Sequence, residues 1–335
     1  MIERTRLKGG SLSATELLTF PDSRKVVRKS ISRHQDREYG FVRWHSQMKR
    51  LQRYESMFPG LFPALLDVSV EDDQAYFDLE YVDGSVDLKN FLADSARTEE
   101  ETRNVCDDLF EAMHVLHAGS AFHANRSLEL YYFEEVLTKF EHAREHSEFR
   151  QFCDYPDYIF NGRSVPNLGK SLDGVSALVK GLAPAPECYT HGNMTLENIL
   201  YVPHERRIVF VDPYDENIVD CREAEYSQVL QCSNSHYGFV NDRDVVVSGN
   251  KAAFEQDIPD ALRLFNDLFL TKIRKSLSPQ SMKLVDFFEF SQFVRMLPFK
   301  VAAGDIEKAK YFLCLASDLA NKLVAAESVN EGEVK

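Results

Sequence analysis

The residues with the clearest chemical potential lie in two short segments near the middle of the chain. Residues 190–198 read Thr-His-Gly-Asn-Met-Thr-Leu-Glu-Asn, and a nearby apolar run ends at Asp212. Together they offer an amide oxygen and a carboxylate, and Mg²⁺ prefers such oxygen ligands alongside phosphate oxygens. Phosphoryl transfer needs a protein that holds metal ions, orients the acceptor hydroxyl and neutralises charge. The two segments therefore indicate a site for magnesium and nucleotide phosphates.

The spacing of these residues resembles the His-Gly-Asp-x-x-x-x-Asn…Asp signature of the aminoglycoside phosphotransferase/choline kinase-like family. The interval from Asn193 to Asn198 and the apolar strand ending in Asp212 both match that signature. The resemblance implies that Asn198 and Asp212 are the metal ligands. It also implies that His191 supports the loop and that Asn193 stands at the catalytic position.

The same resemblance extends to the N-terminal part of the chain. It implies that Lys29 pairs with nucleotide phosphates and that Gly10 and Ser11 belong to a phosphate-covering loop. The backbone of Glu80 and Val82 corresponds to the linker that hydrogen-bonds adenine. The implied cofactors are ATP or GTP and Mg²⁺.

The helix residue that should form an ion pair with Lys29 is not obvious. Counting back from Phe62-Pro63 suggests Gln47 for that place, and Glu38 and Glu55 are the other candidates. The sequence leaves the three alternatives open.

Asn193 is the main departure from the family pattern, because active relatives carry an aspartate there that accepts the substrate proton. A neutral amide cannot accept that proton, although its oxygen can still orient a hydroxyl. Three explanations stay open. The chain is a pseudokinase that keeps nucleotide binding; or its acceptor needs no base or uses another carboxylate such as Asp215; or the asparagine is an introduced replacement of an aspartate.

The elements that must position these residues can be read from periodicity and turn signals. The N-terminal part predicts strands at 4–9, 14–20 and 25–31, a helix at 39–57, and a hairpin of 64–70 with 74–81. The remainder predicts helices at 88–93, 99–117, 127–147, 172–182, 222–239, 251–275, 279–295 and 305–327, a loop at 154–168, and a strand pair at 198–202 and 207–212.

This order of elements predicts an α+β fold rather than alternating βα units. With the resemblance, it implies a bilobal protein-kinase-like fold. The small antiparallel β-sheet lobe would comprise residues 1–82, and the larger, mainly α-helical lobe with the catalytic loop and substrate pocket would comprise residues 83–327. Residues 328–335 are expected to form a mobile tail.

The function implied by the resemblance is ATP- and magnesium-dependent transfer of a phosphoryl group to a hydroxyl of a small metabolite. Segments 159–162, 225–231 and 235–239 resemble bacterial phosphotransferases associated with capsule or surface-polysaccharide genes, so a sugar or polysaccharide precursor is an implied acceptor. The alternative is a weak or inactive pseudokinase that serves as a nucleotide-binding scaffold or regulator. A true protein kinase is disfavoured, because Asp212 is followed by Pro213 and no Ala-Pro-Glu activation segment follows it.

The amino-acid composition argues against some classes of binding partner. The 335 residues carry a net charge of −14, which argues against binding to a nucleic-acid backbone. No apolar run reaches the roughly 18 residues of a transmembrane helix, and the N-terminus lacks a secretory signal. The six scattered cysteines favour reduced thiols in a cytoplasmic protein. The oligomeric state stays open.

Overall fold

A computed structural model of the chain describes residues 2–7, 13–33, 40–119, 127–183, 185–214 and 217–332. The chain forms two compact units, each built from several segments. The first unit consists of Met1–Phe91, Asn104–Leu116 and His191–Asn217. The second consists of Leu92–Arg103, His117–Thr190 and Ile218–Lys335.

The N-terminal part of the first unit is an antiparallel sheet with one long helix. The strands are β1 (Glu3–Arg6), β2 (Ala14–Thr19), β3 (Lys25–Ser32), β4 (Leu65–Val70) and β5 (Gln74–Glu80), and helix α1 (Gly40–Met57) lies between β3 and β4 in sequence. The strand order is β1-β2-β3-β5-β4. The predicted antiparallel sheet and its helix are thus confirmed.

Helix α1 forms where the apolar residues have helical spacing. Trp44, Met48, Leu51 and Tyr54 recur every three or four residues and are all buried. The Trp44 ring packs on Phe77 of β5 with centroids 5.2 Å apart. This apolar face therefore fixes the helix against the sheet.

The elements that follow are β6 (Val86–Asp87), α2 (Leu88–Ala93), α3 (Glu99–His117), α4 (Leu128–Tyr131), a π-helical stretch (Tyr132–Thr138), α5 (Lys139–Arg144) and α6 (Ser147–Cys153). Next come β7 (Asp157–Phe160), β8 (Arg163–Pro166), α7 (Gly169–Gly181), β9 (Ile199–Val202) and β10 (Arg207–Phe210). The last elements are α8 (Arg222–Ser233), α9 (Tyr237–Asp242), β11 (Val246–Ser248), β12 (Lys251–Ala253), α10 (Asp260–Ser276), α11 (Pro279–Ala302) and α12 (Ile306–Gly332).

A second sheet of the first unit carries the segment with the chemical motif. Its order is β10-β9-β6, so β9 and β10 form the predicted hairpin and β6 adds an edge that the sequence reading missed. Val82, Val202 and Val209 pack together beneath it. The hairpin therefore rests on a small apolar cluster of its own.

The prediction of a loop at 154–168 is wrong, because β7 and β8 form a hairpin there. Asn161 and Gly162 connect the two strands with φ of 46° and 80°. Two successive positive φ values define the tight hairpin turn that Asn-Gly favours. The signal was therefore present in the sequence.

The predicted helix at 251–275 begins too early, and the predicted helix at 222–239 is divided in two. Residues 251–253 form β12, which pairs with β11 and runs parallel to β7 in a four-stranded sheet of order β11-β12-β7-β8. Helix α10 starts only after Pro259. Between α8 and α9, His236 has a left-handed φ of 57°, which an α-helix cannot contain.

The core of the second unit is rich in aromatic side chains from α11 and α12. Phe287, Phe288, Phe290 and Phe293 of α11 are fully buried, and Phe312 of α12 packs against Phe293 with centroids 5.5 Å apart. Because apolar side chains occupy most faces of α11, this helix is central to the unit. The C-terminal part is thus mainly helical, with one small sheet.

The cysteines are all reduced and buried. Burial raises the pKa of Cys153 to about 12 and that of Cys188 still further, so neither thiol is activated as a nucleophile. Within the described ranges, no helix is long and apolar enough to cross a membrane.

Candidate functional site

The alternation of strand β3 separates its two adjacent cations. Successive side chains of a strand lie on opposite faces of the sheet. Arg28 lies on one face and makes two bonds of 2.7 Å to Asp78, its cross-strand neighbour on β5. Lys29 lies on the other face and is only 5% exposed. Strand geometry therefore assigns Arg28 to sheet stability and leaves Lys29 to a buried site.

Lys29 joins α1 to the segment that follows β10. Its ammonium contacts the carboxylate of Asp212 and donates to Gln47 Oε1 at 3.2 Å. The amide nitrogen of Gln47 donates in turn to the carbonyl of Pro213 at 3.1 Å. Of the three candidates for the partner of Lys29, Gln47 occupies the place. Glu55 instead accepts from the backbone of Leu65, and position 38 lies outside the described residues.

The backbone at Asp212 is unusual for a residue that is not glycine. Its φ is 60°, in the left-handed region that ordinarily costs an L-residue about 1–2 kcal/mol. The preceding residue is held on both sides: Val211 donates its N–H to Asn198 O at 2.9 Å and accepts from His191 through its carbonyl at 2.7 Å. These bonds impose the turn that brings the Asp212 carboxylate to Lys29.

His191 is buried inside the loop and is hydrogen-bonded at both ring nitrogens. It is fully buried, and its ring packs against the rings of Phe62 and Phe210, which also contact each other. Nε2 donates to Val211 O, and Nδ1 accepts the backbone N–H of Asn193 at 3.2 Å. The two bonds require the neutral tautomer with hydrogen on Nε2. The supporting role of His191 stays a prediction, and these two bonds are the contacts through which it would act.

Gly192 allows the loop to pass close to its neighbours. Its φ is 81°, and a Cβ there would lie 2.3 Å from Tyr214 O and 2.5 Å from Asn217 Nδ2. Tyr214 also donates its N–H to His191 O at 2.8 Å. Only glycine fits between these groups.

Asn193 and Asn198 are coupled through the backbone. Asn198 donates its amide nitrogen to Asn193 O at 2.9 Å, which leaves the Asn198 amide oxygen as the acceptor end. The Asn193 side chain is half-buried and lines a cavity. The Asn193 side chain therefore lines the cavity, whereas the Asn198 amide nitrogen is bound to the main chain of the loop.

The cavity in the first unit has a volume of about 140 Å³. Its walls come from β3, α1, the loop after residue 190 and the segment after β10. The lining residues are Ser13, Lys29, Ile31, Gly40, Arg43, Trp44, Gln47, Asn193, Asp212, Pro213 and Tyr214. The predicted phosphate lysine, metal carboxylate and catalytic-position residue therefore share one cavity.

Other predicted binding residues do not line this cavity. Glu80 is exposed and accepts from the N–H of Ala64 at 3.3 Å. Val82 is buried, and its carbonyl accepts from the Ser85 hydroxyl at 2.7 Å. Gly10 and Ser11, as well as the alternative base Asp215, lie outside the described residues.

The predicted metal ligands are placed differently: Asp212 lines the cavity, whereas Asn198 is not among its lining residues. A magnesium ion held by an Asp212 carboxylate oxygen and an Asn198 amide oxygen stays a prediction, and Mg²⁺ commonly takes one or two protein oxygens and completes its shell with water and phosphates. In the described part of the chain, no cluster of three or more His, Cys, Asp or Glu side chains could hold a metal. Nucleotide phosphates would therefore have to complete the coordination.

The sequence reading missed several lining residues, among them Arg43, Trp44 and Tyr214. Arg43 and Trp44 lie on α1, one turn before Gln47, and Tyr214 follows Asp212 by two residues. The guanidinium of Arg43 lies 4.6 Å from the centre of the Tyr214 ring. The i, i+4 spacing of Arg43 and Gln47 on a helix could have indicated their common face.

No protein-family model matches this chain, and no curated protein matches it.

Proposed function

We propose that this chain is a protein-kinase-like phosphotransferase of the aminoglycoside phosphotransferase/choline kinase type. It uses ATP or GTP with Mg²⁺ and acts slowly on a hydroxyl of a small metabolite, such as a sugar or polysaccharide precursor. The observation that carries the proposal is the partly buried cluster of Lys29, Gln47 and Asp212 beside Asn193 in one cavity.

Each residue of the cluster has a chemical task in this proposal. Lys29 binds a nucleotide phosphate as a point charge, and Gln47 holds its ammonium in place. Asp212 and Asn198 supply the oxygen ligands of magnesium, which when bound neutralises charge on the transferred group. Asn193 orients the acceptor hydroxyl through its amide oxygen but does not remove the proton. The sequence order of the sheet, the helix, the loop and the hairpin is the order that the family resemblance implies.

A second candidate function is favoured by the two amides of the cavity. Gln47 and Asn193 stand where the resemblance implies carboxylates, and neither can act as a base. A nucleotide-binding scaffold or regulator would keep Lys29 and Asp212 and dispense with the base. The two candidates share nucleotide binding and differ in phosphoryl transfer.

Binding of nucleotide is tested by thermal unfolding with and without millimolar MgATP or MgGTP. A ligand that binds only the folded state raises the melting temperature by mass action. At a ligand concentration one hundred times Kd, the free energy of unfolding is expected to rise by about 2.7 kcal/mol. Asp212→Ala should remove this rise, whereas Asp72→Ala, in the exposed β4–β5 turn, should keep it. An unchanged melting curve for the unmodified chain with either nucleotide would contradict the proposal.

A further inference from the structure

Gln47 of α1 connects two other parts of the first unit through a single side-chain amide. Its Oε1 accepts from the Lys29 ammonium at 3.2 Å, and its Nε2 donates to the Pro213 carbonyl at 3.1 Å. An ammonium can only donate and a carbonyl can only accept, so these two partners leave one orientation for the amide. Gln47 therefore uses both ends of its amide at once, one towards β3 and the other towards the segment after β10.

The bond to Pro213 restrains the main chain directly after Asp212. A proline has no N–H, so its carbonyl is the main-chain group through which a hydrogen bond can hold it. Pro213 is buried, and Asp212 before it has the left-handed φ of 60°. Gln47 thus acts on both members of the ion pair, since it bonds to Lys29 directly and to the residue that follows Asp212.

A glutamate at position 47, which the family resemblance implies, could not make the same two bonds. An ionised carboxylate has only acceptors, so one of its oxygens would face the Pro213 carbonyl without a hydrogen between them. It would also place a second carboxylate beside Asp212 on the Lys29 ammonium, and the two would compete with nucleotide phosphates for that cation. Glutamate and glutamine have the same length, so the difference lies in the lost donor and the added charge.

We propose that Gln47 is a positioning residue that requires its amide, and that the glutamate implied at its place would weaken nucleotide binding here. The inference rests on the proposed function, in which Lys29 binds a nucleotide phosphate and Asp212 a magnesium ion. It also separates the two amides of the cavity. Asn193 stands at the place of a catalytic base, whereas Gln47 replaces a carboxylate with a group whose donor the neighbouring main chain uses.

The test is a binding titration that follows the fluorescence of Trp44, the sole tryptophan of the chain, which lines the cavity. MgATP and MgGTP are each added to the full chain, and the nucleotide with the lower Kd is then used for every variant. Gln47→Glu and Gln47→Met should each raise that Kd by roughly tenfold or more, because each loses a bond of the amide. Gln52→Glu makes the same change at an exposed position of α1 and should leave Kd unchanged.

A double-mutant cycle with Lys29→Met separates positioning from a general loss of packing. If Gln47 acts through the Lys29 ammonium, Gln47→Met should raise Kd by a several-fold smaller factor once that ammonium is absent. A side chain that only stabilises the fold would raise Kd by the same factor in both backgrounds. Ligand-free melting curves establish a temperature at which every variant is folded, and Gln47→Leu gives the same comparison if Gln47→Met does not fold.

The outcomes distinguish this inference from the proposed function. A Gln47→Glu variant that binds the nucleotide as tightly as the unmodified chain, or more tightly, would overturn the inference and leave the proposed function standing. Equal factors for Gln47→Met with and without the Lys29 ammonium would overturn the inference as well. Absence of binding of either nucleotide to the unmodified chain would overturn the proposed function and the inference together.

Discussion

At the scale of single residues, Asn193 determines how fast the proposed reaction can be. Its side chain lines the cavity, but an amide does not accept a proton at neutral pH. General-base catalysis contributes roughly 10²–10⁴-fold. Because the transition state of phosphoryl transfer is loose, loss of the base slows transfer without removing the contributions of positioning and charge.

Asn193→Asp is expected to raise turnover on the true acceptor, or ATP hydrolysis, by ~10²-fold or more. The loop should keep its shape, because the bonds to His191 and Asn198 use the backbone of residue 193 and aspartate is nearly isosteric with asparagine. Phosphate release with MgATP measures the effect. Asn193→Ala is the control for orientation of the acceptor by the amide. Its rate of phosphate release should be lower than that of the unmodified chain.

The same experiment separates the two candidate functions. If Asn193→Asp restores nothing beyond slow hydrolysis, the scaffold function is favoured over the enzyme. Both candidates assume that Asn193 leaves the site without a catalytic base. If the aspartate variant transfers phosphate more slowly than the unmodified chain, that assumption is wrong. Asn193 would then be adapted to the reaction itself.

At the scale of elements, the hairpin of β9 and β10 and the loop before it act as one rigid support. Asn198 O accepts from Val211 N at 2.9 Å, and His191 O accepts from Tyr214 N at 2.8 Å. Main-chain bonds therefore tie the loop to the segment that carries Asp212.

Gly192→Ala should break that support. The added Cβ would lie 2.3 Å from Tyr214 O, and the residue would keep a φ of 81°. We expect a loss of roughly 2 kcal/mol or more in the free energy of unfolding, and loss of ATP binding, measured by urea unfolding and by titration. Gly60→Ala is the matched control: its φ is 83°, and no atom lies within 4 Å of the added Cβ.

The control should lose only about 1 kcal/mol and keep ATP binding, since it meets backbone strain without a clash. Equal losses of stability in the two variants would mean that the loop can move aside. In that case the close approach at Gly192 is not what holds the loop.

At the scale of the whole molecule, a buried carboxyl group in the second unit makes stability depend on pH. Glu289 of α11 is 3% exposed and accepts from Ser235 at 2.6 Å and from Asn234 at 3.0 Å. Burial raises the pKa of Glu289 from 4.5 to about 7, although the two hydrogen bonds oppose the rise. The carboxyl group is therefore neutral in the folded chain at mildly acidic pH and charged in the unfolded chain.

The sign of the effect follows from proton linkage. Between pH 4.5 and about pH 7 the folded state binds the proton that the unfolded state has lost, so this contribution to stability declines as pH rises through that window. His236 acts in the opposite direction, because burial lowers its pKa to about 4 and stability is lost as pH falls below its ordinary value of 6.5. The contribution of Glu289 is isolated when the free energy of unfolding of a Glu289 variant is compared with that of the unmodified chain across pH.

Glu289→Gln should therefore gain stability relative to the unmodified chain as pH rises from 5 to 8, by on the order of 2–3 kcal/mol. Glutamine keeps the oxygen that accepts from Ser235 and Asn234, and it cannot ionise. Thermal or urea unfolding across this pH range measures the difference. Glu307→Gln, at an exposed position on α12, should show no such trend, and a flat difference for Glu289→Gln would contradict the raised pKa.

Much of the fold was predictable because its signals are local. The apolar spacing from Trp44 to Tyr54 predicts α1, and strand β3 and helix α3 follow the predicted ranges closely. The hairpin of β7 and β8 was missed, although the Asn161-Gly162 dipeptide favours a two-residue hairpin turn. Helix α10 was drawn too early because the pairing of β12 with β7 joins residues far apart in sequence, which periodicity cannot detect.

The sequence by itself determined which residues could do chemistry: a lysine on a strand, an asparagine at a loop, and a carboxylate after an apolar strand. Only the tertiary structure decided that Lys29 contacts Asp212, that Gln47 rather than Glu55 joins them, and that Arg43 lines the same cavity. The reason is physical. Spacing along a chain limits local geometry, whereas the charge and partners of a site depend on elements brought together by packing.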